Sequence, residues 1–173
     1  MDWVPPFKCC YHCGSGSIRR IRPTAFRCDE CNKHLFINPV SAAAGILIDP
    51  DDRVLLIKRA HEPAKGKFSI PGGFLDPGET AEEGLSREVK EEVGIDVVNW
   101  EYLCGRPNRY VFEGTEYLVL DLFFFARMDS LAGADALDEV EAILTVPLSE
   151  IDPDSLAFPS VRKAIELFRS RFG

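Results

Sequence analysis

No stretch of this chain approaches the ~20 consecutive apolar residues that cross a bilayer. The opening Met1-Asp2-Trp3-Val4-Pro5-Pro6 also lacks the apolar run of a signal peptide. The expectation is a cytoplasmic protein with no membrane partner. Positive charge is scarce as well, with 20 Lys and Arg against 28 Asp and Glu and a net charge of −8. Sequence-independent affinity for nucleic acid comes from Lys and Arg neutralising many phosphates, so nucleic acid is not an expected partner. With 173 residues there is room for one ordinary domain and one small module, but not for two full domains. Hydrophobic residues at 46% and charged residues at 28% sit near the globular average, which excludes a disordered chain, and no internal repeat is visible.

The charge is unevenly spread, at +3 over residues 1–37 and −11 over the remainder. An acidic body works on polyanionic substrates when divalent cations stand between its carboxylates and the substrate phosphates. The basic N-terminal part carries Cys10-Tyr-His-Cys13 and Cys28-Asp-Glu-Cys31, two Cys-x-x-Cys pairs with 14 residues between them. That spacing reads as a ribbon closed by four thiolates on a structural Zn²⁺, over residues 1–37. Cys9, His12 and His34 are alternative ligands, and Cys10 is preferred because it preserves the two-residue spacing. Cys104 reads as an ordinary buried thiol.

From residue 38 onwards the pattern is that of a mixed α/β (α+β) domain, 38–173. Ala42 to Ile48 and Val54 to Arg59 read as a hairpin around Asp49-Pro50-Asp51-Asp52, and Tyr117 to Ala126 as a central strand interrupted only by Asp121. Trp100 to Cys104, Tyr110 to Phe112 and Ile143 to Val146 are shorter strand candidates, and an amphipathic helix follows Ser160.

A second helix is delimited by its ends. Thr80 with Glu83 forms a capping-box signature, and Gly94 stands where a left-handed cap is expected. At 100° per residue Leu85, Val89 and Val93 make one apolar stripe, with Glu88, Glu91 and Glu92 beside it. Like charges at these spacings repel by a few tenths of a kcal/mol each, so the face calls for a cation. Hard carboxylate oxygens suit Mg²⁺ or Mn²⁺. Gly84, one turn before Glu88, predicts the close approach of another backbone, and Arg87 is placed to pair with Glu91 or Glu79.

Gly73, Glu79, Arg87, Glu88, Val89, Glu91, Glu92, Gly94 and Ile95 together match the Nudix box without departure. From average residue usage, a chance match is on the order of 10⁻⁹ per starting position. The chain therefore resembles the Nudix hydrolases over roughly 38–173. The resemblance implies a mixed sheet sandwiched between helices, and hydrolysis of a nucleoside diphosphate linked to another moiety. It implies Glu88, Glu91 and Glu92 as Mg²⁺ ligands with a Gly72 or Gly73 carbonyl, Glu79 supporting the metal, and Arg87 orienting the acidic face. Nudix families differ in their general base. Here Glu88 or Glu91 of the box, or Glu139 or Glu141 in Asp138-Glu139-Val140-Glu141, is the candidate.

A zinc ribbon before a Nudix domain is similar to the arrangement in NADH pyrophosphatases, where a homodimer contact is one role for the ribbon. Those enzymes carry a Ser-Gln-Pro-Trp-Pro-Phe-Pro-x-Ser segment after the box, whereas Trp100-Glu-Tyr-Leu-Cys-Gly-Arg-Pro-Asn-Arg-Tyr-Val-Phe stands there in this chain. The departure keeps ADP-ribose and nucleotide sugars in view as small-molecule substrates. Arg106, Arg109 and Tyr110, read as a loop, are the substrate-binding candidates, and Lys58 and Arg59 either meet phosphate or end a strand in solvent.

Overall fold

The structure is a computed structural model that describes residues 8–173. The Met1 to Pro6 segment read above lies outside the described residues. Two compact units result, one ending at Pro39 and the other spanning Val40–Gly173.

The first unit is a three-stranded antiparallel sheet of β1 (Ile18–Arg22), β2 (Ala25–Cys28) and β3 (His34–Phe36) in that order. Among the described residues, Cys10, Phe26, Cys28 and Leu35 form its buried hydrophobic cluster.

The second unit is built on β4 (Val40–Ile48), β5 (Arg53–Arg59), β6 (Phe68–Ser69), β7 (Gly72–Phe74), β8 (Glu101–Phe112), β9 (Thr115–Arg127) and β10 (Val140–Pro147). Two helices complete it, α1 (Ala81–Val93) and α2 (Pro159–Phe172). The sheet order is β10-β5-β4-β9-β8, with β4 and β9 parallel and the other pairs antiparallel. Residue alternation assigns the two faces. Ile46, Ile48, Val54 and Leu56 pack with Val161, Ile165 and Phe168 of α2, whereas Leu47, Leu55 and Ile57 pack with Leu85, Val89 and Val93 of α1. One sheet thus lies between two helices.

Two features differ from the sequence reading. The hairpin of β4 and β5 is paired by Cα register only at Ile48 and Val54. Beyond that point the strands part, β6 pairing with β5 and β7 with β4, and this fork opens the sheet for the site. The segment read as two short strands and a loop is the single strand β8, twelve residues long, at the edge of the sheet. Pro107 is accommodated because an edge strand need not use every N–H in a ladder.

Candidate active site

Helix α1 forms as its ends dictate. Thr80 and Glu83 exchange both capping-box hydrogen bonds, and Gly94 closes the helix with φ 74°, a left-handed conformation that costs glycine little. The apolar stripe of Leu85, Val89 and Val93 is fully buried, which fixes the helix rotation and turns Glu88, Glu91 and Glu92 toward a cleft of about 400 Å³. Gly72 and Gly73 of β7 border the same cleft. A Cβ on Gly73 would lie 2.5 Å from the Glu88 carboxyl and displace it, and one on Gly72, at φ 140°, would clash with the Ala43 backbone. Gly84 differs from its expectation: side chains, not backbone, crowd it, a Cβ there lying 2.6 Å from Leu75 and 2.8 Å from Glu79.

Arg87 knits the acidic groups together. Its Nε and Nη2 donate to the two Glu79 oxygens at 2.8 and 3.0 Å, and its Nη1 donates to Glu88 at 2.8 Å and Glu91 at 3.1 Å. A further bond reaches the Phe74 carbonyl at 3.2 Å. Arg87 and the Asp76 N–H hold Glu79 at about 2, well below the usual carboxylate range. Both Glu79 oxygens are thus engaged and the residue does not border the cleft; it anchors Arg87.

Among the described residues no cation is bonded to Glu92. One of its oxygens accepts the Gly72 N–H at 2.8 Å, while burial, reinforced by the charges of Glu88 and Glu139, pushes its carboxyl up to about 8. Burial also raises Glu88. Among the described residues, the one group of three or more metal-type donors already gathered within 4.8 Å is Cys10, Cys13, Cys28 and Cys31. The three glutamates are side by side but not gathered, and Arg87 bonds Glu88 and Glu91 but not Glu92.

Glu139 borders the cleft from the turn before β10, in the left-handed region at φ 53°, whereas Glu141 is ion-paired with Lys58 at 2.6 Å and does not. Strained non-glycine backbone of this kind is tolerated where the surroundings impose it. The substrate candidates divide. Tyr110 borders the cleft, with Asn108 beside it on the same face of β8, but Arg106 and Arg109 do not. Strand alternation explains Arg109, which is on the opposite face and paired with Glu116, and Arg106 donates to its neighbour's carbonyl at Gly105. Arg59 does border the cleft, as Arg87 does, and it is stacked over Phe158 at 5.2 Å and donates to the Pro63 carbonyl. Its strand-end position left two readings open; the fork between β5 and β4 decides for the cleft.

Asp121, which interrupts the apolar run of β9, also borders the cleft although it is only 8% exposed. Burial raises its pKa, with Ser160 and Asn108 opposing. Its register partner Arg106 makes no ion pair with it. A carboxyl whose pKa is raised by folding costs stability as pH rises from its unfolded to its folded value. Asp121→Asn is therefore expected to raise Tm at pH 7, by ~2–4 °C per kcal/mol relieved, and to leave it nearly unchanged at pH 3. Thermal denaturation at both pH values measures this, and equal shifts at the two would contradict it.

A family model for the NUDIX domain matches residues 38–168. The chain belongs to the Nudix family. Among relatives, this Nudix chain is 51% identical over 61 residues to an ADP-ribose pyrophosphatase of Methanocaldococcus jannaschii, covering 35% of this chain and 36% of that protein. It is 32% identical over 169 residues to the NAD-capped RNA hydrolase NudC of Pseudomonas aeruginosa, covering 98% of this chain and 58% of the relative. The chain thus spans about a third to three fifths of the length of these relatives. A Nudix hydrolase of Nitrosomonas europaea shares the fold at a TM-score of 0.72 and 24% identity, over 96% of this chain and 92% of that one. Among the described residues no helix is long and apolar enough to cross a membrane.

Proposed function

We propose that this Nudix chain hydrolyses the diphosphate bond of a nucleoside diphosphate linked to another moiety, ADP-ribose or a dinucleotide such as NAD, with Mg²⁺ or Mn²⁺. The observation that carries this reading is the placement of Glu88, Glu91 and Glu92 beside Gly72 and Gly73 in one cleft that also holds Arg59. The donor set fits a hard divalent cation, since among the described residues no cation bonds Glu92 in its buried setting, and the repulsion of Glu88 and Glu139 outweighs the opposing charge of Arg59. Glu88, Glu91, Glu92 and a Gly73 carbonyl would hold the ion. When bound, it neutralises the diphosphate and lowers the pKa of a water.

The chain's own groups supply the remainder. Arg59 faces the anionic substrate, and Arg87, anchored by Glu79, keeps the carboxylates on one side. Glu88 and Glu91 are the box candidates for the base, and Glu139, which borders the same cleft, is the auxiliary base. Tyr110 offers a ring face to the substrate. Names of the relatives support both ADP-ribose and NAD-type substrates. Incubation with Mg²⁺ and ADP-ribose, NADH, NAD-capped RNA, nucleotide sugars and nucleoside triphosphates, with products read by mass spectrometry, tests the reading. Nucleotide binding without cleavage would favour a sensing module instead. The same reading includes a cytoplasmic location and a structural Zn²⁺ on Cys10, Cys13, Cys28 and Cys31; light scattering checks the homodimer.

Arg87 yields a separate prediction. Its planar fork bonds four groups at once, which an ammonium cannot reproduce. Arg87→Ala and Arg87→Lys are both expected to lower kcat/KM by about ten- to a hundred-fold. Full activity in the Lys variant would show that only the charge matters.

A further inference from the structure

Asp121 is a buried carboxyl with no role in the chemistry above. Val119, Asp121 and Phe123 alternate along β9 and all border the cleft, so an apolar residue at position 121 would complete the pattern. Among the described residues Asp121 has no ion pair. Its register partner on β4 is Ala42, which in turn faces Phe74 on β7. Two strand spacings, ~10 Å, therefore separate Asp121 from the glycine strand beside the acidic helix. A ribose places a base at a comparable remove from its diphosphate.

The surroundings of Asp121 suit a planar ring. Tyr110 and Phe158 have centroids 5.9 Å apart and Phe74 meets Tyr110 edge-on at 5.4 Å, all bordering the cleft. Asn108 stands next to Asp121; its Oδ1 accepts the Arg109 N–H at 2.9 Å, so its NH₂ is the donating group, one hydrogen serving Asp121 together with the Ser160 hydroxyl and the other directed to a ligand. An acceptor-only carboxylate and an amide donor thus lie together on the cleft wall, away from the glutamates.

Resting on the hydrolase reading, we propose that Asp121 and Asn108 form a specificity subsite for a planar ring edge that presents an NH₂ beside an acceptor. Adenine carries such an edge, and so does the carboxamide of nicotinamide. The carboxylate accepts from the ring substituent's NH₂ and the Asn108 amide donates to the neighbouring acceptor, with Tyr110 against the ring face. Buried groups built to bond one pattern reject its reverse, because both sides are then left unpaired.

The test compares ADP-ribose with its hypoxanthine analogue, and NAD with deamido-NAD, in which an oxygen replaces the NH₂. Binding to metal-loaded protein is measured by calorimetry and kcat/KM by product analysis. Wild type should prefer the amino form in one of the two pairs by at least about tenfold, and the pair that responds identifies the moiety bound. Asp121→Asn, isosteric with the native side chain, should erase or reverse that preference, and Asn108→Ala should weaken it, while the Mn²⁺ affinity of both variants stays at the wild-type value. Preferences unchanged in both variants would overturn the subsite but leave the hydrolase reading intact. A wild type that neither binds nor cleaves any of the four compounds would refute both.

Discussion

Glu92→Gln is expected to reduce kcat by about 10²–10³-fold or more while leaving the fold intact. Of the three box glutamates, Glu92 is the one that Arg87 does not reach, and its carboxyl is pushed up to about 8 by burial and by Glu88 and Glu139. A carboxylate in that setting is favourable only when a cation shares it. The amide keeps the shape and still accepts the Gly72 N–H that now meets Glu92 at 2.8 Å. Stability at neutral pH should therefore stay level or rise, because the amide relieves the cost of an acid whose pKa is raised by folding. Loss of turnover with an unchanged or higher Tm separates a chemical role from a structural one. The apparent Mg²⁺ requirement should also shift to higher concentration. A variant within about threefold of wild-type kcat would remove Glu92 from the machinery and with it the central element of the proposed site.

The contrast between α1 and β8 shows what the sequence discloses and why. Thr80, Glu83, Gly94 and the Leu85, Val89, Val93 stripe act within one helix, so spacing alone locates the caps and the acidic face. β8 is decided by pairing with β9 along its whole length, from Glu101 with Phe125 to Phe112 with Thr115, and no local pattern around Pro107 announces that partner. The same limit applies to the substrate residues. Arg109 has the right chemistry, but the parity of an edge strand turns it away, while Asn108 and Tyr110 face inward. Arg59 enters the cleft only because β6 and β7 force β5 apart from β4. The Asp138-Glu139-Val140-Glu141 segment divides in a similar way: Lys58, a partner on another strand, claims Glu141 and leaves Glu139 at the rim. Motif residues were legible one by one, and what lies between them depends on strand register.

Removing zinc is expected to unfold the N-terminal unit while β4 to α2 remain folded. The thiol geometry already suits the ion. Cys10 and Cys31 Sγ atoms are 3.7 Å apart and those of Cys13 and Cys28 are 3.6 Å apart, against ~3.8 Å between sulfurs of a tetrahedron with 2.3 Å zinc bonds. Cys9, exposed and outside this group, is not one of the four. Among the described residues the buried apolar side chains of the unit are Ala25, Phe26 and Leu35 with two of the cysteines. So small a core cannot order a unit of this size, and a structural zinc contributes its binding free energy to folding directly. Freshly purified reduced protein should contain one zinc per chain. Chelation, or Cys28→Ser, should abolish amide protection in peptides from β1 to β3 in hydrogen-exchange mass spectrometry and leave β4 and β9 protected. Protection of β1 to β3 that survives complete zinc removal under reducing conditions would show that the four thiols fold the unit without a metal, and the spacing and core arguments for the ribbon would both fail.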